Sequence, residues 1–262
     1  MDSAEQYFEA KAALEWQIEL GADEAIGDAP LDRYELVTEP PKPKTTPAAK
    51  ASNAPIPVAE VDAVAVAKSA AAAAMDLEGL KAAMAAFDLC DLKRGARNLV
   101  FGQGASSARV MIIGEAPNRE EDRAGKPIVG LAGTLLDKML AAIDLGRDGP
   151  DPDSLVYVTT VVPWRPPQDR DLTADEIAML RPFLQRHIEL VAPDVVVLMG
   201  NAPCLAMLDR KGITRLRGTW HETAGRVVLP MLHPDYLLRT PIAKREAWAD
   251  LLELKARLDS KN

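Results

Sequence analysis

Four short runs of nearly unbroken aliphatic residues mark the second half of the chain: RVMIIG (109–114), LVYVTT (155–160), DVVVLMG (194–200) and RVVLPML (226–232). Runs this apolar, without a polar residue at every second place, predict strands buried on both faces. Between and after them the spacing of apolar positions predicts helices over 133–144, 173–191, 201–209 and 242–258. Strands alternating with helices predict a three-layer αβα sandwich, an α/β fold whose central sheet is mostly parallel and four-stranded. In such sheets ligands sit beyond the carboxyl ends of the strands. The residues placed there are Glu115 to Asn118, Thr160 to Arg165, Asn201, and His233 to Tyr236.

The first third reads differently. Tyr7, Ala10, Leu14 and Ile18 recur at helical spacing over residues 3–20, with Ser3 as N-cap and Gly21 as stop. Residues 38–58 contain six prolines and no hydrophobic period, which predicts an extended, flexible linker. Residues 59–86 are alanine-rich and helical in propensity. The expected organisation is an acidic helical segment (1–37), a Pro/Ala-rich linker (38–58) and an α/β domain (59–262).

Composition changes this picture in three places. The chain has 262 residues and a formal net charge of −8, which argues against a polyanionic partner. Residues 1–40, however, hold eleven acidic and two basic side chains, so the excess is N-terminal and the rest is close to neutral. A basic face on the α/β domain is therefore allowed. No apolar run is long enough to span a membrane, and the acidic N-terminus lacks the features of a secretory signal. Cys90 and Cys204 lie far apart and make no disulfide framework, so a cytoplasmic setting is expected.

Two strand-end segments carry candidate chemistry. After the first strand come Gly114-Glu115-Ala116-Pro117-Asn118 and the acidic run Glu120 to Asp122. Gly114 and Pro117 predict a tight turn that brings backbone N–H groups close to a ligand. An ordinary βα loop, with its acids complementing a helix dipole, accounts for the spacing equally well. After the last strand, His233 precedes Pro234; a neutral imidazole there could donate to developing negative charge, or simply bond a backbone carbonyl. No cluster has zinc-ligand spacing, and no Walker A or dinucleotide fingerprint occurs.

Taken together, these segments resemble the uracil-DNA glycosylase superfamily, most closely its iron–sulfur family 4. GEAPNREEDRAGKPIVGLAGTLL matches the first motif of that family and HPDYLLR its second; YVTTVVPWRPPQDRDLTADEIAMLRPFL matches the segment between them. The resemblance covers roughly residues 77–258. It implies hydrolysis of the bond joining uracil to deoxyribose in DNA, as in base excision repair, with the base flipped into a strand-end pocket. It assigns chemistry to His233, Glu115 and Glu121, and the base pocket to Gly114, Glu115, Ala116, Pro117, Asn118, Ile128 and Thr160. DNA contacts fall to Arg165, Arg217, Pro234, Asp235, Tyr236 and Arg239, with Arg170, Arg215, Lys244 and Arg245 as further cations. Tyr236, Leu237 and Leu238 are wedge candidates, or core of the last helix.

Several positions depart from the family pattern. The four cluster cysteines correspond to Phe87, Cys90, Trp164 and Leu180, so no iron–sulfur cluster and no other cofactor is expected. Ile128 stands where the family stacks a Phe on uracil, and Thr160 where an Asn reads the base edge. Ala116 cannot orient water, which leaves Glu115, Glu121 or Asn118 to do so. Asp235 replaces the Ser of the second motif. These changes keep two alternatives open: a glycosylase for hypoxanthine or xanthine, or a member that binds DNA or a partner with weak catalysis. The expected partner is uracil-containing DNA, bound by a monomer without a membrane; the N-terminal extension suits recruitment of a protein partner.

Overall fold

The computed structural model describes residues 62–149 and 151–260, together with Tyr7, Lys11, Ala12, Leu14, Glu15 and Trp16. Those last six residues are helical; the rest of the 3–20 segment and the 38–58 linker lie outside the described residues. The chain divides into two units, residues 1–57 and 58–262, and the α/β fold belongs to the second.

Among the described residues the sheet has six strands rather than four. Strands β1 (Gln103–Gly104), β2 (Val110–Gly114), β3 (Val156–Thr160), β4 (Val195–Met199), β5 (His221–Thr223) and β6 (Arg226–Met231) run in the order β1-β3-β2-β4-β6-β5. The four apolar runs form the central parallel strands, with Val110–Ile113 in register against both Val156–Thr159 and Val195–Leu198. The two extra strands are short, antiparallel and at the edges. They are too brief and too polar to show a periodic signal.

Side chains alternate across the sheet. Met111, Ile113, Val196, Leu198 and Val228 face one apolar cluster. It is covered by α1 (Ala63–Ala73), α2 (Leu77–Ala86), the short α3 (Leu92–Gly95), α6 (Ala174–Val191), α7 (Asn201–Leu208) and α8 (Ile213–Leu216). Val110, Ile112, Val197, Leu229 and Met231 face the other cluster, covered by α5 (Gly130–Ala141) and α10 (Lys244–Asp259). This is the expected αβα sandwich. Among the described residues, no helix is long and apolar enough to cross a membrane.

Caps explain where helix boundaries differ from the periodic pattern. The alanine-rich stretch 59–86 is two helices, because Asp62 accepts from the N–H groups of Val64 and Ala65 and Asp76 from that of Gly79. Each aspartate satisfies donors that a continuous helix would leave paired internally. Helix α6 opens on a capping box in which Thr173 and Glu176 bond each other's backbone N–H. Two short helices, α4 (Arg119–Ala124) and α9 (Pro234–Arg239), follow β2 and β6 directly and carry the two chemical segments.

Candidate active site

Strands β2 and β3 pair on one side, and the chain then crosses to place β4 on the far side of β2. This reversal opens a crevice beyond the carboxyl ends, as the geometry of doubly wound sheets requires. A cleft of about 990 Å³ lies there. Its lining brings together Glu115, Ala116, Pro117, Asn118 and Glu121 from after β2 with His233, Asp235, Tyr236 and Arg239 from after β6.

Gly114 is where the two segments meet. A Cβ built on it would lie 3.2 Å from the Ile128 side chain and 3.6 Å from His233 Nε2. A methyl there would press on Ile128 and touch the His233 ring at ordinary contact distance. Gly114, Ile128 and Thr160 are buried, and none of the three is among the residues that line the cleft.

His233 is preset for one protonation state. Its Nδ1 accepts from the Asp235 N–H at 3.3 Å, so the neutral ring carries its proton on Nε2, the nitrogen turned toward Gly114. Burial lowers its pKa to about 4, with the Arg239 charge adding to the shift and the Asp235 carboxylate opposing it. The ring is thus neutral at pH 7. Asp235 serves it through its backbone N–H, while its carboxylate sits 3.6 Å from Nδ1.

The acidic residues are held by backbone donors. Glu115 accepts from the Asn201 N–H at 2.6 Å and from Ala202 at 3.3 Å, capping the start of α7. Gly200 permits this approach: its φ is +114°, and a Cβ would lie 2.0 Å from Glu115 Oε1. Burial raises the Glu115 pKa. Glu121 forms a capping box with Asn118, accepting from its N–H at 2.7 Å while Asn118 Oδ1 accepts from Glu120 and Glu121. The second Glu121 oxygen accepts from the Ile128 N–H. Glu121 thereby fixes Ile128, whose backbone is left-handed at φ +44°. Burial drives its pKa up to about 7, against the two backbone hydrogen bonds that oppose the rise. Asp122 accepts from the N–H groups of Arg97 and Asn98.

The Thr160 hydroxyl donates to the Val162 carbonyl at 2.7 Å, which leaves its oxygen as an acceptor only. Among the cations, Arg165 is paired with Asp169, Arg170 with Glu176, and Arg217 with the buried Asp250 and the Glu246 carbonyl. Pro234 is the buried first residue of α9. Leu237 is also buried, whereas Leu238 stays partly exposed and lines the cleft.

The structure adds residues that spacing did not single out. Arg119 and Lys211 line the cleft with Arg239, and the apolar Leu172, Ile177, Leu205 and Ile213 line its further wall. Asn201, noted for its place after β4, has its Oδ1 accepting from the N–H groups of Gly212 and Ile213, which anchors that wall. The short polar loop around Gly212 held no period to flag it.

The positions matched to cluster cysteines sit beneath the sheet. Phe87, Cys90, Trp164 and Leu180 are all buried in one apolar cluster, with Phe87 edge-on to Phe183 at 5.4 Å. They offer one thiol, whose pKa burial raises, and three apolar side chains without a sulfur ligand, which does not fit a group held by four thiolates. Among the described residues no group of three or more His, Cys, Asp or Glu could hold a metal ion.

Comparison with known proteins points to one family. The sequence profile of the Uracil DNA glycosylase superfamily matches residues 101–252. The type-4 uracil-DNA glycosylase of Thermotoga maritima is 38% identical over 155 residues, spanning 57% of this chain and 77% of that protein. Its namesake from Archaeoglobus fulgidus is 35% identical over 174 residues, spanning 63% of this chain and 84% of that protein. A DNA polymerase of Bacillus phage SP01 is 36% identical over 160 residues, which are 59% of this chain and 17% of that protein.

Proposed function

The chain belongs to the uracil DNA glycosylase superfamily, and on that premise we propose that it hydrolyses the N-glycosidic bond of uracil in DNA, without an iron–sulfur cluster. The observation that carries the proposal is the approach of both His233 Nε2 and Ile128 to Gly114, with His233 lining the strand-end cleft.

The target nucleotide leaves the base stack and enters the cleft, a step that costs a few kcal/mol and is easiest in single strands. Gly114 to Asn118 lie along the base and Ile128 covers one face. Thr160, with its proton already donated to Val162, accepts the N–H of the base edge. As the bond from the base nitrogen to C1′ breaks, negative charge builds on the base carbonyl oxygen, and the Nε2–H of neutral His233 donates to it. Water adds to C1′. Glu115, which lines the cleft, orients that water with the lone pairs left free by Asn201 and Ala202 and takes its proton. Glu121 acts as a positioning residue, through Ile128 and Asn118. Arg239, Arg119 and Lys211 meet the phosphates.

The apolar cluster around Phe87, Trp164 and Leu180 takes over the structural part that a cluster would play. Bound iron, with a broad brown absorption in purified protein, contradicts this point. An acceptor-only Thr160 also suits hypoxanthine or xanthine, whose ring N–H can meet it in the same way, and this favours a broader base set as a second reading.

The test is excision from a labelled single-stranded oligonucleotide with one uracil, alkali cleaving the abasic product, for wild type and His233→Ala. Removal of such a donor lowers the rate by roughly 10²–10³. Wild-type protein inactive on uracil, hypoxanthine and xanthine alike overturns the enzymatic reading in favour of a DNA- or partner-binding role.

A further inference from the structure

One large apolar side chain at the cleft has no structural task. Leu131, the second residue of α5, is 78% exposed and lines the cleft, while Ala132 and Leu136 of the same helix are buried in the core. A lone exposed leucine is common on protein surfaces. This one is set apart by how firmly its backbone is held. Ile128 and Gly130 are both left-handed, at φ +44° and +66°, and turn the chain so that Leu131 faces water. Glu121 grips the Ile128 N–H, and the Arg147 guanidinium donates to the carbonyls of Ile128, Pro127 and Gly133 at 2.8, 3.2 and 3.3 Å. The Arg147 side chain is itself 7% exposed. The segment from Pro127 to Gly133 is therefore held by both Glu121 and Arg147.

Resting on the reading that this cleft receives an extruded nucleotide, we propose that Leu131 is a wedge that enters the duplex base stack as the target base leaves. Proteins that unstack DNA do so with aliphatic side chains inserted between base steps. A wedge must not yield when pushed, and pre-ordering removes the entropy lost on insertion. Leu131 meets both demands. It also stands three residues from Ile128, so the side chain that parts the stack and the one that covers the base belong to one braced segment. Leu238, partly exposed on α9, lines the same cleft from the second motif.

The experiment compares wild type, Leu131→Ala and Leu131→Met on uracil in a single strand and in a duplex. A duplex with 2-aminopurine beside the uracil reports unstacking by a rise in fluorescence, independently of hydrolysis. Leu131→Ala is expected to lower kcat/KM on the duplex by roughly tenfold more than on the single strand, since unstacking a step is the cost that the wedge offsets. Its fluorescence rise is lost, and Leu131→Met restores most of both. Equal losses on the two substrates, or an undiminished fluorescence rise in Leu131→Ala, overturn the proposal. So does the absence of any rise with wild-type protein. If wild type excises no base yet raises the fluorescence through Leu131, the glycosylase reading fails and the wedge stands.

Discussion

Glu121 offers a pH-dependent test of the pocket that needs no substrate. Its carboxyl is 4% exposed, it accepts from two backbone N–H groups, and its folded pKa is about 7. The unfolded value is roughly 4.3. A group whose folded pKa is raised binds its proton more tightly in the native state. Its contribution to stability is therefore full below about pH 4 and is lost as the pH rises through about 7. A gap of nearly three pH units corresponds to about 3–4 kcal/mol. The wild-type curve alone will not display it. Asp250, raised to about 6, acts in the same direction, while His233 and His187, lowered to about 4 and about 3, act oppositely between pH 4 and 6.5. The difference between wild type and Glu121→Gln isolates the group, because the other three titrate in both. The amide leaves one N–H without its acceptor, a cost of about 1–3 kcal/mol that does not vary with pH. Urea unfolding of both proteins from pH 4.5 to 8 should show the advantage of wild type shrinking by about 3 kcal/mol as the pH rises. A difference that stays constant across this range means that the folded carboxyl titrates normally, and the reasoning from burial is wrong.

Three shorter predictions concern neighbouring parts of the site. Histidine NMR of wild type against His233→Ala should show the His233 imidazole titrating near 4; a value near 6.5 refutes the neutral-donor geometry. Gly200→Ala forces a side chain into φ +114° and onto Glu115. It should cost about 1–3 kcal/mol from strain, with kcat/KM falling more than stability explains; an unchanged Tm and rate would show that Glu115 does not depend on this approach. Arg217→Ala leaves Asp250 buried without its partner and should destabilise by about 3–5 kcal/mol at pH 8, less below pH 6 where Asp250 takes a proton. In the same series the salt slope of DNA binding should fall by about one for Arg239→Ala and stay put for Arg217→Ala; the opposite ranking returns Arg217 to the DNA surface.

The parallel core was legible because its signal is local. Val110 to Ile113 and Val195 to Leu198 are apolar at every position, and only a strand covered on both faces demands that. The carboxyl-end rule then points to the cleft. What spacing could not supply was the use made of each polar atom. Glu115, Glu121 and Asn118 read as water-positioning candidates, yet each bonds a backbone N–H from another part of the fold or its own helix start. Arg165 and Arg217 read as DNA contacts, yet their partners lie 4 and 33 residues away, and nothing in a linear pattern ties Arg217 to Asp250.

That difference has a physical origin. Hydrophobic burial is non-directional, so a run of valines declares its fate without its neighbours. A buried carboxylate must find donors at a particular distance and angle, and those donors come from whichever loop the topology delivers. At this site the topology delivers the start of α7 to Glu115 and the Ile128 turn to Glu121. Glu121 therefore holds one wall of the cleft, and Glu115 the other beside its proposed contact with water, while His233, with one nitrogen committed to Asp235 and the other aimed at Gly114, is left as the donor with a free direction. An assay that ranks His233→Ala below Glu121→Gln in kcat, with Glu121→Gln acting mainly through KM, is what this division of labour requires. Equal losses in kcat from the two variants would place Glu121 among the groups that touch the reacting atoms.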